Sequence, residues 1–169
     1  MTLEIKKNIL PGIDGNNIIK PTAIVLHWWG EESGTEGIEW LCRTLKMRQL
    51  SVQFAVLKDG QIYQLSPAGD TYCRHAKCAN SSSIGIEIEG KNAADLDANE
   101  VQFKSVLKLV QFLKKQYSIS SRFAVVKERD CLRFFGIASH KQVDGYCPDA
   151  SGKIDVHDEY VSRVRALAD

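Results

Sequence analysis

The stretch Ser83-Ile84-Gly85-Ile86-Glu87-Ile88-Glu89-Gly90 places an isoleucine at every second position over six residues. Because successive side chains of a β-strand point to opposite faces, this period of two predicts a strand with one buried face. The isoleucines are expected to face the core, and Gly85, Glu87 and Glu89 share the other face. We expect Glu87 to face a cleft, Gly85 to leave room there for a substrate backbone, and Glu89 to be exposed or ion-paired.

Two further apolar stretches each end in a histidine. Ala23-Ile24-Val25-Leu26 leads into His27, and Phe135-Gly136-Ile137-Ala138-Ser139 leads into His140. Both stretches are typical of strands, and a catalytic zinc site needs three protein ligands and one open position. Two strand-end imidazoles followed by an acid or a thiol meet that requirement. Spacing alone leaves the third ligand open among the candidates after His140, which are Asp144, Cys147, Asp149, Asp155 and His157.

Helical and strand patterns alternate along the chain. Lys58-Asp59-Gly60 predicts a tight turn between strands over 51–57 and 61–65, since Asp-Gly supplies the positive φ angles of such turns. Apolar spacing predicts helices over 36–47, from Asp95 or Asp97 to about Tyr117, over 124–133 and over 156–167. The last helix is expected to bury Tyr160, Val161, Val164 and Leu167. We therefore expect one three-layer α/β domain over 1–169, with a loop-like extension over 1–20 and long loops over 66–82 and 140–154.

Composition and charge narrow the classes of function. Hydrophobic residues make up 44% of the chain and charged residues 25%, which is ordinary for a globular protein. The net charge of +1 gives no electrostatic support for binding nucleic acid or an anionic membrane. No apolar stretch approaches the roughly 18 residues of a membrane span, and the N-terminus shows no apolar signal core.

The five cysteines are odd in number and irregularly spaced, which is not typical of a secreted disulfide framework. We expect reduced thiols, most of them buried, at these positions. Cys73 and Cys78 are close enough in sequence that a bridge between them is the alternative.

The motifs of the chain resemble those of a known family. His27 at a strand end, Arg74-His75-Ala76, the 83–90 stretch, and His140 with Lys153-Ile154-Asp155 are similar to motifs of the zinc-dependent N-acetylmuramoyl-L-alanine amidases. That family includes amidase-type phage lysozymes, muropeptide-recycling amidases and peptidoglycan recognition proteins. The resemblance runs in order over about residues 20–165. It implies a mixed sheet flanked by helices, a groove holding one Zn²⁺, and hydrolysis of the amide between N-acetylmuramic acid and L-alanine.

The resemblance also implies roles for individual residues. In the family, a lysine that stabilises the oxyanion lies two positions before the third ligand. Lys153 lies two positions before Asp155, so the resemblance favours Asp155 over Cys147 as that ligand. The implied ligands are therefore His27, His140 and Asp155. Glu87 matches the catalytic carboxylate of the recycling-type members, and a carboxylate facing the cleft can accept a proton from water and pass it to the leaving amine.

Two residues are candidates for contact with the substrate. Trp28 is expected to line a groove for sugar rings, with core packing for one of Trp28 and Trp29 as the alternative. His75 either contacts the substrate or packs in the interior. The family pattern departs at Val156, where a proline usually follows the ligand.

Two classes of function follow from the resemblance. The first is a zinc amidase acting on peptidoglycan or muropeptides, and the alternative is a recognition module that binds them without cleavage. The absence of a signal core fits a protein made in the cytoplasm that reaches the wall after release or by non-classical export. We expect a monomer in an endolysin, recycling or effector setting, with an immunity protein as a further partner in the last case.

Overall fold

The sheet at the centre of the protein has seven strands in the order β1-β4-β3-β5-β2-β7-β6. The computed structural model describes residues 3–10, 17–31, 33–34, 36–129, 131–149 and 152–169. The strands are β1 Lys6–Lys7, β2 Ala23–Trp28, β3 Phe54–Val56, β4 Ile62–Gln64, β5 Ser83–Ile88, β6 Ala124–Glu128 and β7 Cys131–Ser139. The helices are α1 Ile38–Met47, α2 Ala93–Ala98, α3 Glu100–Tyr117, α4 His140–Asp144 and α5 Asp158–Leu167, with a short 3₁₀ helix at Lys77–Ala79.

Parallel pairing joins the three central strands. β2 lies between β5 and β7 and is parallel to both, whereas β3 with β4 and β6 with β7 form antiparallel pairs. The sheet is therefore mixed, as predicted. The antiparallel pair of β3 and β4 confirms the hairpin expected around Lys58-Asp59-Gly60.

Helices cover both faces of the sheet, which confirms the three-layer α/β prediction. On one face, the isoleucines of β5 pack with α3 and α5 in the largest apolar cluster. On the other face, α1 packs against Ala55 and Leu65, while Val143 and Cys147 pack against Ala23 and Val25 of β2. Alternation along β2 and β5 therefore separates an apolar face from the face that carries His27 and Glu87.

The predicted helix over 124–133 is wrong. These residues form most of an antiparallel hairpin, β6 and β7, whose turn includes Arg129 with a positive φ of 55°. Val125 and Val126 are β-branched and favour the extended backbone, and the short apolar spacing fitted either period.

Other boundaries also differ from expectation. The long helix is divided at Asn99, whose non-helical backbone ends α2 and whose side chain accepts a hydrogen bond from the Gln102 N–H at 3.0 Å. Leu167 is 49% exposed because α5 ends there, although Tyr160, Val161 and Val164 are buried as predicted. The extension over 1–20 contributes β1, which pairs in parallel with β4.

The cysteine prediction is wrong for two residues. Cys78 and Cys147 form a disulfide that joins segments 69 residues apart, so the bridge considered between Cys73 and Cys78 does not form. Cys42, Cys73 and Cys131 are outside any disulfide. No helix within the described ranges has both the length and the apolarity that a membrane span requires.

Candidate metal centre and substrate groove

The carboxyl ends of the three central strands bring three polar residues together. His27 is the fifth of the six residues of β2, and Glu87 lies opposite it on the neighbouring strand β5. On the other side of β2, Ser139 is the last residue of β7, and His140 follows it directly as the first residue of α4. The Ser139 hydroxyl accepts the Gln142 N–H at 3.0 Å in a capping box, which stabilises the turn from strand to helix at His140.

The two histidines and Asp155 form a compact cluster of donor atoms. The Nδ1 atoms of His27 and His140 each lie 3.5 Å from the Asp155 Oδ2. All three donor atoms lie within 4.8 Å of one another, and all three residues are buried. Two imidazoles and one carboxylate converging in this way form a donor set of the kind that catalytic zinc sites use.

Electrostatics favour the protonation states that a metal cation requires. Burial lowers the pKa of His27 to about 4, against a smaller opposing effect from Asp155, so that its imidazole is neutral at pH 7. For Asp155, burial acts to raise the pKa, but hydrogen bonds from His140 and His27 outweigh it and hold the pKa well below its usual range. Neutral imidazoles and an ionised carboxylate are the ligand forms of these groups.

The other candidates for the third ligand lie outside the cluster. The Asp144 carboxylate accepts the backbone N–H of Lys153 at 3.1 Å, and Cys147 is in the disulfide. The His157 Nε2 lies 3.0 Å from an oxygen of Asp97. Among the described residues, the His and Asp cluster comprises His27, His140 and Asp155 alone.

The model of the N-acetylmuramoyl-L-alanine amidase family matches residues 17–155 of this chain. The chain belongs to this amidase family. That finding confirms the resemblance drawn from the motifs. The protein is therefore a peptidoglycan amidase. Among curated proteins, no sequence matches the chain significantly.

Solved structures share the fold of this amidase. The N-acetylmuramoyl-L-alanine amidase LysC from Clostridium intestinale URNW is 21% identical, with 96% of this chain and 98% of that chain covered and a TM-score of 0.64. A mutant endolysin from Bacillus subtilis is 23% identical, with coverage of 96% and 99% and a TM-score of 0.66. The hydrolase AmiA from Staphylococcus aureus, solved in complex with its ligand, is 17% identical, with coverage of 98% and 81% and a TM-score of 0.69.

A groove of about 340 Å³ opens onto the donor cluster of the amidase. The residues that line it include Glu87, Lys153, Trp28 at the end of β2, and Trp29 directly after that strand. Trp28 is half-buried, whereas Trp29 is 8% exposed and stacks on Trp40 with ring centroids 5.5 Å apart. Trp40, on α1, was not predicted as a groove residue, because nothing in its local sequence distinguishes it from a core aromatic of an amphipathic helix.

Glu87 has an environment that favours its neutral form. Burial raises the pKa of Glu87 to about 8, the negative charge of Asp155 adds to this rise, and Lys153 opposes it. Lys153 is exposed at the edge of the groove, and its backbone is fixed by the bond to Asp144. Glu87 and Lys153 therefore both line the groove that opens onto the donor cluster.

The structure differs from expectation at Gly85 and Glu89, the two residues predicted to share the face of Glu87. Glu89 is buried rather than exposed, and it accepts hydrogen bonds from the Ser33 hydroxyl and from the Lys58 N–H at 2.8 Å. The space beside Gly85 is filled by the ring of His75 and is not open to a substrate backbone. A Cβ at position 85 would lie 2.7 Å from the His75 Cγ and Nδ1. Both departures arise from long-range packing, since the partners lie in loops distant in sequence.

Proposed function

We propose that this amidase hydrolyses the amide between N-acetylmuramic acid and L-alanine with Zn²⁺ held by His27, His140 and Asp155. The proposal rests on the cluster of His27, His140 and Asp155, whose donor atoms lie within 4.8 Å of one another, beside Glu87 on the adjacent strand. When bound there, zinc supplies Lewis acidity, which lowers the pKa of water and polarises the scissile carbonyl.

Glu87 acts as the general base of the proposed reaction. Its carboxylate accepts a proton from the attacking water and then donates that proton to the amine of L-alanine as the amide bond breaks. The pKa of about 8 describes the protein without a cation, and a nearby positive charge favours the ionised carboxylate. A Glu87 pKa near the operating pH suits a group that both accepts and donates a proton.

Lys153 stabilises the oxyanion. Lys153 lines the groove, and the Asp144 carboxylate accepts its backbone N–H at 3.1 Å, which holds the backbone there. A positive charge close to the carbonyl oxygen stabilises the negative charge that develops on it. Trp28 supplies an indole surface along the same groove for a sugar ring of the substrate.

We further propose that the protein acts on the bacterial cell wall. The structures with the same fold include proteins named as endolysins, from Clostridium intestinale and Bacillus subtilis. Release of a protein made in the cytoplasm would bring it to this substrate. A monomer suffices for the reaction, since every proposed site residue comes from one chain, and an immunity protein stays a prediction for the effector setting alone.

Digestion of purified peptidoglycan, followed by mass spectrometry of the soluble products, tests the activity. We expect free stem peptides beginning at L-alanine, lost on chelation and restored by Zn²⁺. Intact glycopeptides under every condition, with the protein retained on the wall, would instead favour the recognition module.

A matched pair of variants tests the third ligand. Asp155→Ala removes a donor from the cluster and is expected to weaken Zn²⁺ binding sharply in a chelator-competition assay. Cys147→Ser lies in the same loop, and it is expected to leave Zn²⁺ affinity unchanged while it lowers stability through loss of the disulfide. The reverse pattern would transfer the ligand role to Cys147.

A further inference from the structure

Each ring nitrogen of His27 has a close polar neighbour, and the two neighbours differ chemically. Its Nδ1 faces Asp155 in the donor cluster at 3.5 Å, whereas its Nε2 lies 3.0 Å from the Nδ1 of His75. A neutral imidazole carries one proton, so its metal-facing nitrogen is unprotonated only when the proton is on the other nitrogen. His27 can therefore present a lone pair at Nδ1 if its Nε2–H has an acceptor.

His75 can be that acceptor because of what lies on its far side. The His75 Nε2 is 3.3 Å from the backbone oxygen of Ser83. A backbone carbonyl can only accept a hydrogen bond, so this contact places the His75 proton on Nε2 and leaves its Nδ1 unprotonated. The Ser83 hydroxyl donates to the Ala79 oxygen at 2.7 Å, which leaves its own lone pairs facing the same His75 nitrogen at 3.4 Å.

With the His75 Nε2–H donated to the Ser83 oxygen, the His75 Nδ1 can accept a hydrogen bond. It lies where the His27 Nε2–H would point when the His27 Nδ1 binds a metal. The two rings meet edge to face, with their centroids 5.2 Å apart and an interplanar angle of 83°, which suits an N–H directed at a ring nitrogen. Only the His27 Nδ1 is then left to bind a metal.

Packing holds His75 in this position independently of any ligand. The backbone N–H groups of His75 and Ala76 both donate to the Asn80 Oδ1, at 3.0 and 2.7 Å. The His75 ring occupies the space above Gly85, where a Cβ would come within 2.7 Å of it. The side chain is 8% exposed, so little of it is available to a substrate in the groove.

From this geometry we infer that His75 is a positioning residue that fixes the orientation and tautomer of His27, so that Nδ1 faces the metal. The inference rests on the proposed zinc site, and it gives His75, which lines the groove, a role other than the predicted contact with the substrate. Partners behind a histidine ligand are known to set its tautomer and to influence metal affinity by about 10- to 100-fold.

Two substitutions separate this role from simple packing. His75→Leu keeps an apolar side chain of similar size but removes the acceptor, whereas His75→Asn can place an amide oxygen near the position of the Nδ1. We expect His75→Leu to weaken Zn²⁺ binding by about 10- to 100-fold in chelator competition, and His75→Asn to recover most of that loss. Equal loss in both variants, or unchanged affinity in His75→Leu, would overturn the proposal.

Gly85→Ala gives a second perturbation that alters no polar atom, because its Cβ would come within 2.7 Å of both the His75 ring and the Val52 side chain. We expect its Zn²⁺ affinity to fall towards that of His75→Leu. Binding of the His75→Leu protein to intact peptidoglycan is expected to stay within about twofold of the binding of the original protein, since little of the His75 side chain is exposed. A selective loss of wall binding with normal Zn²⁺ affinity would return His75 to a substrate role.

A measurement on the unsubstituted protein keeps the proposal testable if the variants fail to fold. Long-range ¹H–¹⁵N spectra of the histidine rings report which nitrogen carries the proton. In the Zn²⁺-loaded protein we expect the proton on Nε2 in both His27 and His75. A proton on the His75 Nδ1 would refute the proposal, whereas failure to bind Zn²⁺ in a protein whose His75 carries its proton on Nε2 would count against the zinc site alone.

Discussion

The two faces of the central sheet differ in chemistry although the same strands build them. On the face covered by α3 and α5, β5 presents isoleucines that are fully buried among other apolar side chains. On the opposite face, the same strand presents Glu87, whose pKa burial raises, across from His27, whose pKa burial lowers. Both shifts oppose the charged forms of these two side chains, whereas the neighbouring Asp155 is held ionised. The apolar face thus supplies stability, and the burial of Glu87 and His27 on the site face costs part of it.

The largest expected effect tests the site face. Glu87→Gln keeps the shape of the side chain but removes the proton acceptor, so we expect turnover of peptidoglycan to fall by about 10²- to 10⁴-fold. Zn²⁺ affinity is expected to change little, because the ligand cluster does not include Glu87. Product release by mass spectrometry and chelator competition measure the two quantities.

The control for that variant is Glu89→Gln, on the same face two residues away. Glu89 holds Ser33 and the Lys58 backbone, so its substitution is expected to act on stability more than on turnover. Near-normal turnover in Glu87→Gln would show that another group is the general base.

The apolar face gives the next effect in size. Leu109→Ala in α3 removes a fully buried side chain and leaves a cavity, so we expect the free energy of unfolding to fall by about 2–5 kcal/mol. Turnover per folded molecule is expected to be unchanged at low temperature, since α3 lies across the sheet from the groove. Denaturant unfolding and a rate assay measure these quantities.

Lys108→Ala is the matched control, because Lys108 is the exposed neighbour of Leu109 on the same helix. We expect its effect on stability to stay within about 0.5 kcal/mol. If Leu109→Ala lowered turnover as strongly as it lowers stability, the separation between the two faces would be wrong.

The smallest expected effect is a pH dependence of the unfolding free energy, which arises from Glu87 on the site face. An unfolded glutamate ionises near 4.5, whereas folded Glu87 keeps its proton up to about pH 8. Between these values the folded state holds more protons than the unfolded state, so stability falls as pH rises. Glu87→Gln lacks this titration. In metal-free protein, the unfolding free energy of Glu87→Gln minus that of the original protein should therefore increase by about 1–3 kcal/mol from pH 5 to pH 8.

Because His27 is common to both proteins, its own titration cancels in the comparison. Stability curves recorded in chelator at several pH values give the difference directly. A difference that stays constant with pH would mean that Glu87 is already ionised in the folded protein at neutral pH.

Sequence patterns predicted the parts of the fold that depend on local periodicity. The alternation over 83–90 gave the strand and its buried face, and the strand-end histidines pointed to the donor cluster in which the structure places them. The choice of Asp155 needed more than spacing, because five residues after His140 carried suitable atoms. It came from the family resemblance, and the structure brings that carboxylate to both imidazoles.

The features that sequence missed depend on contacts between distant segments. Nothing local in Glu89 shows that Ser33 and Lys58 surround it, and nothing local in Gly85 shows that His75 occupies its space. The same holds for Cys78 and Cys147, whose separation of 69 residues carries no signal in a chain with five irregular cysteines. The hairpin of β6 and β7 was missed for a different reason, since a short apolar stretch fits both helical and extended periods.

The bridge between Cys78 and Cys147 closes the intervening chain into a covalent ring. That ring contains Glu87 and His140, while His27 lies before it and Asp155 lies after it. A protease that cuts once at exposed residues inside the ring, such as Lys127 and Glu128, leaves both fragments joined through sulfur. Under reducing conditions, the same cut yields two separate polypeptides that only packing holds together. The site residues thus stay in one covalently joined molecule after a first nick.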